Sequence, residues 1–362
     1  MPRLPDGRAK AYVLSYAARL HALGFELERA NALGEEALAI ASRLGLKELQ
    51  AFTLNNLSVA STYGGNLARS VELLEEAASI AREEHSPELL RVLNNLLVTY
   101  QRLGWLQRHD DTLEEFERVA TEFGDVVIIR FTRGSAIPST HMIRGRWDEA
   151  VRTSTEFIDE AEAGEGHRLL ASCYMYRALI RHARGDVDGA RRDCDRSATL
   201  ADETDPAGGF ALAMRGRILL ESGRRAEAIA LADKALELAR SRPFTVFDPT
   251  LTLLLHALGK GNELLEVMPE ASDMPIARAT RLWASGNIRA AAEVFAAMEL
   301  APFGESFARL AAGRQLVSDG RQAEADVELR RAIELLEPMG ARRYVGEAKA
   351  LLSAAEPTAK QG

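Results

Sequence analysis

Residues 63–77 read Tyr63-Gly64-Gly65-Asn66-Leu67-Ala68-Arg69-Ser70-Val71-Glu72-Leu73-Leu74-Glu75-Glu76-Ala77, and residues 222–235 read Ser222-Gly223-Arg224-Arg225-Ala226-Glu227-Ala228-Ile229-Ala230-Leu231-Ala232-Asp233-Lys234-Ala235. Each holds a glycine, a short polar turn, and then small residues at two fixed places: Ser70 and Ala77 in the first, Ala228 and Ala235 in the second. Positions seven apart lie on one face of an α-helix. A stripe of small residues marks where one helix crosses another closely, since a large side chain there would hold the two apart. The glycine has a separate purpose: without a Cβ it enters the left-handed conformation that ends a helix at no steric cost.

The same punctuation runs through the chain. Gly65, Gly104, Gly145, Gly185, Gly223, Gly259, Gly286 and Gly320 stand 39, 41, 40, 38, 36, 27 and 34 residues apart, a period expected of stacked helix pairs. Small residues follow most of them, at Ser70, Ala150, Ala190, Ala228, Ala291 and Ala325, with Ala77, Phe157, Ser197, Ala235, Met298 and Ala332 seven further on. Ahead of each glycine lies a helix with apolar residues at helical spacing, such as Leu93, Leu96, Leu97, Tyr100 and Leu103. An irregular first pair covers 9–44, with Ala30 and Ala37 in the matching places, and a last helix near 341–354 reads as a cap. The pattern predicts an all-α, right-handed α-α superhelix of roughly nine helix pairs with a C-terminal capping helix. Its divisions are an extension over 1–8, an N-terminal block over 9–240, a C-terminal block over 241–353 and a disordered tail over 354–362.

Two places break the period. Pro138 falls inside the helix before Gly145, where the missing backbone donor should kink or shorten it. Pro243, Pro249, Pro269 and Pro275 crowd the stretch in which the glycine spacing contracts to 27, which reads either as a hinge or as a drifted repeat.

Composition narrows the function. Of 362 residues, 47% are hydrophobic and 27% charged, the formal charge is -8, and acids and bases are interspersed, so no basic stripe exists for a phosphate backbone. Nucleic acid is excluded as a direct partner. Cys173 and Cys194 form no CxxC pair and no zinc-ligand spacing, in keeping with a reducing, cytoplasmic compartment. No window approaches the roughly eighteen apolar residues of a membrane span, and the start lacks an apolar leader.

Chemistry is sparse. Leu258-Gly259-Lys260-Gly261-Asn262 lacks the earlier glycine and the following Ser or Thr of a phosphate loop and reads as a turn. The seven histidines never pair four apart on a helix. Acidic doublets such as Glu75-Glu76 read as a solvated helix face. No catalytic residue, cofactor site or metal site is therefore assigned.

Helix pairs with these glycine turns and small crossing residues resemble tetratricopeptide repeats, in the longer variety with a period near 40. Leu49-Gln50-Ala51-Phe52-Thr53-Leu54-Asn55-Asn56-Leu57, Arg144-Gly145-Arg146-Trp147-Asp148-Glu149-Ala150, Ala183-Arg184-Gly185-Asp186-Val187-Asp188-Gly189-Ala190 and Met339-Gly340-Ala341-Arg342-Arg343-Tyr344-Val345 extend the likeness. They are similar to the C-terminal repeat region of bacterial class III adenylate cyclases that carry an ATPase module, and to the sensor region of maltose-regulon-type activators. The catalytic and DNA-reading modules of those proteins have no counterpart in these 362 residues. The resemblance thus implies a stand-alone adaptor or the repeat part of a larger or split protein.

In this solenoid type the first helices line the concave groove. Asn55-Asn56 and Asn94-Asn95 occupy equivalent places in neighbouring first helices, and an amide that donates and accepts matches an extended peptide backbone. The resemblance implies that Asn56 and Asn95 face the groove; alternatively the amides bridge neighbouring helices. Arg102, Tyr176 and Arg217 are assigned to the same face, and Tyr100, Trp147 and Trp283 to packing. The expected function is a non-catalytic scaffold that holds a peptide or partner domain. The alternative is a sensor region linked to a cyclase or ATPase that binds a small ligand.

Overall fold

All eight punctuating glycines take the backbone conformation that their residue type permits, with φ between 71° and 95°. At Gly185 (φ 95°), for example, the left-handed residue closes one helix, and Asp186 caps the next by accepting from the Gly189 amide. The computed structural model describes residues 5–164, 166–201, 206–241, 249–268, 274–298 and 302–353. Within these the chain is helical, with no strand among the described residues.

The helices succeed one another as pairs: α1 (Arg8–Leu23) with α2 (Leu27–Arg43), α3 (Lys47–Tyr63) with α4 (Leu67–Glu83), and α5 (Glu88–Leu103) with α6 (Leu106–Phe123). Next come α7 (Val126–Gly134) and α8 (Ala136–Ile143), then α9 (Trp147–Ala163). Further pairs are α10 (Leu170–Arg184) with α11 (Val187–Leu200), α12 (Pro206–Glu221) with α13 (Arg225–Ser241), and α14 (Pro249–Leu258) with α15 (Gly261–Val267). Among the described residues the series ends with α16 (Pro275–Ala284) and α17 (Ile288–Ala297), α18 (Pro302–Ser318) and α19 (Gln322–Leu336), and α20 (Arg342–Ser353).

The small crossing residues sit where the helices meet: Ser70, Ala150, Ala190, Ala228, Ala291 and Ala325 are all at 0% exposure. Helices of one pair pack on each other, and α1 on α3, α3 on α5, α10 on α12 and α12 on α14 pack first helix against first helix. Pro138 acts as a break. The first helix of its repeat is divided between α7 and α8, and Pro138 lies in the opening turn of α8, where a missing amide donor costs nothing. Among the described residues two left-handed residues are not glycine, Phe25 (φ 63°) and His85 (φ 47°), so the turns that they make carry no letter the punctuation could reveal.

The described residues fall into two compact units. The first runs to Thr132 and takes in Met274; the second holds the remainder from Arg133. In the first unit α1 to α6 stack in simple succession. In the second, one apolar core joins Trp147 and Ile180 to Trp283, Phe307 and Tyr344, and α20 packs on α10 as well as on α18 and α19. The expected block boundary at 240/241 abuts residues 242–248, and these lie outside the described residues, as do Pro243, Pro269 and the expected tail over 354–362.

Candidate functional site

In the first unit the asparagines form a two-way ladder. Asn56 reaches back one repeat, donating to Ser15 O (3.2 Å) and Ser15 Oγ (3.0 Å) on α1. Asn95, its equivalent in the next repeat, reaches back to Asn55 Oδ1 at 2.7 Å. The other member of each doublet reaches forward: Asn55 donates to Glu88 Oε1 on α5 (2.7 Å), and Asn94 Oδ1 accepts from Thr132 Oγ1 on α7 (2.8 Å). Equivalent residues on parallel neighbouring helices come within reach of each other because one repeat repeats the geometry of the last.

The four amides differ in what they leave open. Asn55, Asn56 and Asn94 are buried. Asn56 is fully engaged, since Arg91 Nη2 donates to its carbonyl oxygen at 3.2 Å. Asn95 is half-buried, and its side-chain Oδ1 and second amide proton have no partner among the described residues. The ladder is anchored by Glu88, which accepts from Asn55 and twice from Arg91 (2.8 Å each). Burial pushes the Glu88 carboxyl above its usual range, against the opposing pull of Arg91 and Asn55.

Aromatic rings and guanidinium groups flank the asparagines along the first-helix face. Toward the N-terminal ends of the helices, Tyr12 stacks on Phe52 (5.3 Å between centroids), and Arg91 lies over the same ring at 5.2 Å. Toward the C-terminal ends, Phe25 stacks on Tyr63 (5.2 Å), and Arg102 is within electrostatic reach of Tyr63. Arg102 is half-buried, and burial lowers its pKa. Tyr12 and Tyr16 are 52% and 46% exposed, large rings for a surface position. On α5, residues 91, 95, 98 and 102 share one face and span about 16 Å at 1.5 Å per residue.

The remaining two expected residues stand in the second unit. Tyr176, nine residues before its glycine like Asn56 and Asn95, is half-buried on α10. Arg217 on α12 is buried, and it donates to the hydroxyl of Tyr344 on α20 and lies 5.9 Å from the Phe307 ring centroid. Thus five of the seven residues, Asn55, Asn56, Asn94, Asn95 and Arg102, stand on the two neighbouring helices α3 and α5. Tyr12, Ser15, Phe52, Glu88 and Arg91 were not singled out from the sequence. Phe52 and Arg91 stand one helical turn before Asn56 and Asn95, and that spacing was the available signal.

Residues 211–242, which include most of α12 and α13, match the family model described as tetratricopeptide repeat. The fold is a tetratricopeptide-type α-solenoid. No curated protein matches the chain significantly. Among solved structures, the solenoid superposes on NprR in complex with its cognate peptide NprX with a TM-score of 0.60 and 14% identity, over 93% of this chain and 90% of that one. It is also similar to BtubC from P. vanneervenii (TM-score 0.46, 18% identity, 59% and 90% covered) and to yeast Tom70 (0.31, 12%, 96% and 97%), both superposing too loosely to bear on this chain. Among the described residues of the solenoid, no group of three or more His, Cys, Asp or Glu side chains converges as a metal site would, and no helix is long and apolar enough to cross a membrane.

Proposed function

We propose that this solenoid is a non-catalytic protein-interaction scaffold that takes an extended partner segment along the α1–α3–α5 face of its first unit. The observation that carries the reading is the half-buried Asn95 amide, with a carbonyl and an N–H open between two aromatic and guanidinium clusters on parallel helices. An extended peptide offers paired donors and acceptors to such an amide, and side chains on alternate positions meet the rings on either side. Asn55 and Asn56 hold the helices in register, and Tyr12, Tyr16, Asn95 and Arg102 make the contact. The similarity to a structure solved with its cognate peptide supports this reading. A cytoplasmic setting goes with it, supported by two cysteines that are free and buried. A cyclase- or ATPase-type signalling module is the partner class that the sequence resemblance adds.

The test is selection of displayed peptides on the purified full chain, followed by fluorescence anisotropy with the enriched peptide. Asn95→Ala and Tyr12→Ala are each expected to weaken binding about tenfold, the loss of roughly 1.4 kcal/mol, with the helical circular dichroism unchanged. If selection enriches nothing, or both variants bind as the wild type does, the scaffold reading on this face is wrong.

A further inference from the structure

The second unit contains a polar seam that no partner-binding role requires. It joins α10, α12 and α20 through residues up to 162 positions apart in the chain. His182 on α10, at 0% exposure, has Nε2 at 2.8 Å from Glu221 Oε2 on α12 and Nδ1 at 3.0 Å from the Tyr344 hydroxyl on α20. Arg217 Nη2 donates to that same hydroxyl oxygen, and Arg343 Nη2 donates to Glu221 Oε2 at 2.6 Å.

Counting protons fixes the direction of every bond. An ionised Glu221 only accepts, so His182 Nε2 carries the hydrogen. Arg217 only donates, so the Tyr344 oxygen accepts from it, and the Tyr344 hydroxyl proton is left for a lone pair. His182 Nδ1 supplies that lone pair only while the imidazole is neutral. The chain Arg217→Tyr344→His182→Glu221 is thus satisfied in one protonation state. A second proton on His182 makes Nδ1 a donor as well: the Tyr344 oxygen then meets two donors, and its own proton loses its acceptor in a buried place, an expensive arrangement.

The charges agree. Facing His182 are Glu221 and Arg217 from α12 and Arg343 from α20, and Arg314 from α18 acts on Tyr344 while pairing with Glu347. On α10 itself, Arg181 pairs with Asp193 and Arg184 with Asp148. An imidazolium would add a third cation beside one carboxylate. Burial lowers the His182 pKa below its ordinary 6.5, more than the Glu221 hydrogen bond raises it. Burial also raises the Glu221 carboxyl, but the His182 hydrogen bond and the charges around it outweigh that and bring it below its ordinary 4.5, so it is ionised at the pH where a released histidine protonates.

We propose that the Arg217–Tyr344–His182–Glu221 chain is a proton-operated latch that holds α20 across α10 and α12 while His182 is neutral and lets it loosen when His182 takes a second proton. The sign follows from linkage. The histidine is neutral in the latched state and protonates below pH 6.5 once released, so latching is strongest above that pH and weakens below it. At one pH unit below 6.5 the released histidine is about ten parts protonated to one neutral, so the opening equilibrium rises by up to about tenfold.

The measurement is hydrogen–deuterium exchange of the full chain at pH 7.5 and 5.5, corrected for intrinsic exchange, reading peptides within 342–353 against peptides within α2 to α4. The expected result is an up to tenfold loss of protection confined to α20 and the facing turns of α10 and α12, abolished in His182→Gln, whose amide still donates to Glu221 but does not titrate. Equal pH response in the two regions, or the wild-type response retained in His182→Gln, overturns the latch. Should His182→Gln fail to fold, Tyr344→Phe decides: without the hydroxyl the second proton costs the latched state less, so the ratio of α20 exchange at pH 5.5 to that at pH 7.5 shrinks, and an unchanged ratio rejects the proposal.

Discussion

Asn55→Ala and Asn95→Ala remove two ends of one hydrogen bond, yet their costs should differ, because only one end lies in the dry interior. Asn55 is at 0% exposure, donates to the Glu88 carboxylate and accepts from Asn95. Its truncation removes a bond to a charged group, worth about 1.5–3 kcal/mol, and a neutral one, worth about 0.5–1.5 kcal/mol. It also leaves Glu88, already raised by burial, with Arg91 as its main support. Asn95 is half-buried, so its truncation removes only the neutral bond and lets water reach the Asn55 oxygen, at a cost of about 1 kcal/mol. The assay is native-state hydrogen exchange of the slowest amides in α3 and α5, which reads the first unit alone. A loss of about 3 kcal/mol appears as roughly hundredfold faster exchange in Asn55→Ala, against about fivefold in Asn95→Ala. If Asn55→Ala proves no more disruptive than Asn95→Ala, the ladder does not hold the helices together and its residues must be assigned otherwise.

Gly34→Ala places a Cβ 2.4 Å from Leu57 Cδ2 and should cost about 1–3 kcal/mol by overpacking, a cost that should shrink in a Leu57→Ala background; urea unfolding of both single variants and the double variant checks this non-additivity. Gly223→Ala meets nothing within 4 Å but sits at φ 77°, so its cost of about 1–2 kcal/mol is conformational, and no trimming of a neighbour should relieve it. Cys173 and Cys194, each pushed up to about 12 by burial, should resist iodoacetamide in the native chain at pH 8 and react once it is unfolded; labelling of native protein seen by intact mass would contradict their burial.

Glycine punctuation made the helix pairs legible because each turn that uses a left-handed glycine imposes it on the sequence directly, and small residues at crossings are imposed by the spacing of backbones. Where Phe25 and His85 carry the left-handed turn the signal vanishes, and the early repeats read as irregular. The position of Pro138 foretold a disturbance, though not that the helix would be divided so as to place it in a first turn. For the site, the repeated Asn-Asn doublets were visible as letters, whereas Ser15, Glu88 and Arg91 carry no motif: their roles arise from which helix lies alongside which, a tertiary fact. Arg217 and Tyr344 stand further still from sequence reasoning, since their bond depends on α20 returning to α10 and α12. A one-dimensional period describes neighbours only.

That return sets a timetable for the chain as it is made. Synthesis runs from the N-terminus, so α10 and α12 are finished while Tyr344, 162 residues beyond His182, does not yet exist. Until it arrives, a buried-to-be histidine and the rings around Phe307 stand open to water and to other chains, and adding one repeat at a time does not complete the unit. A nascent chain of this kind needs α20 before α10 and α12 are safe from aggregation.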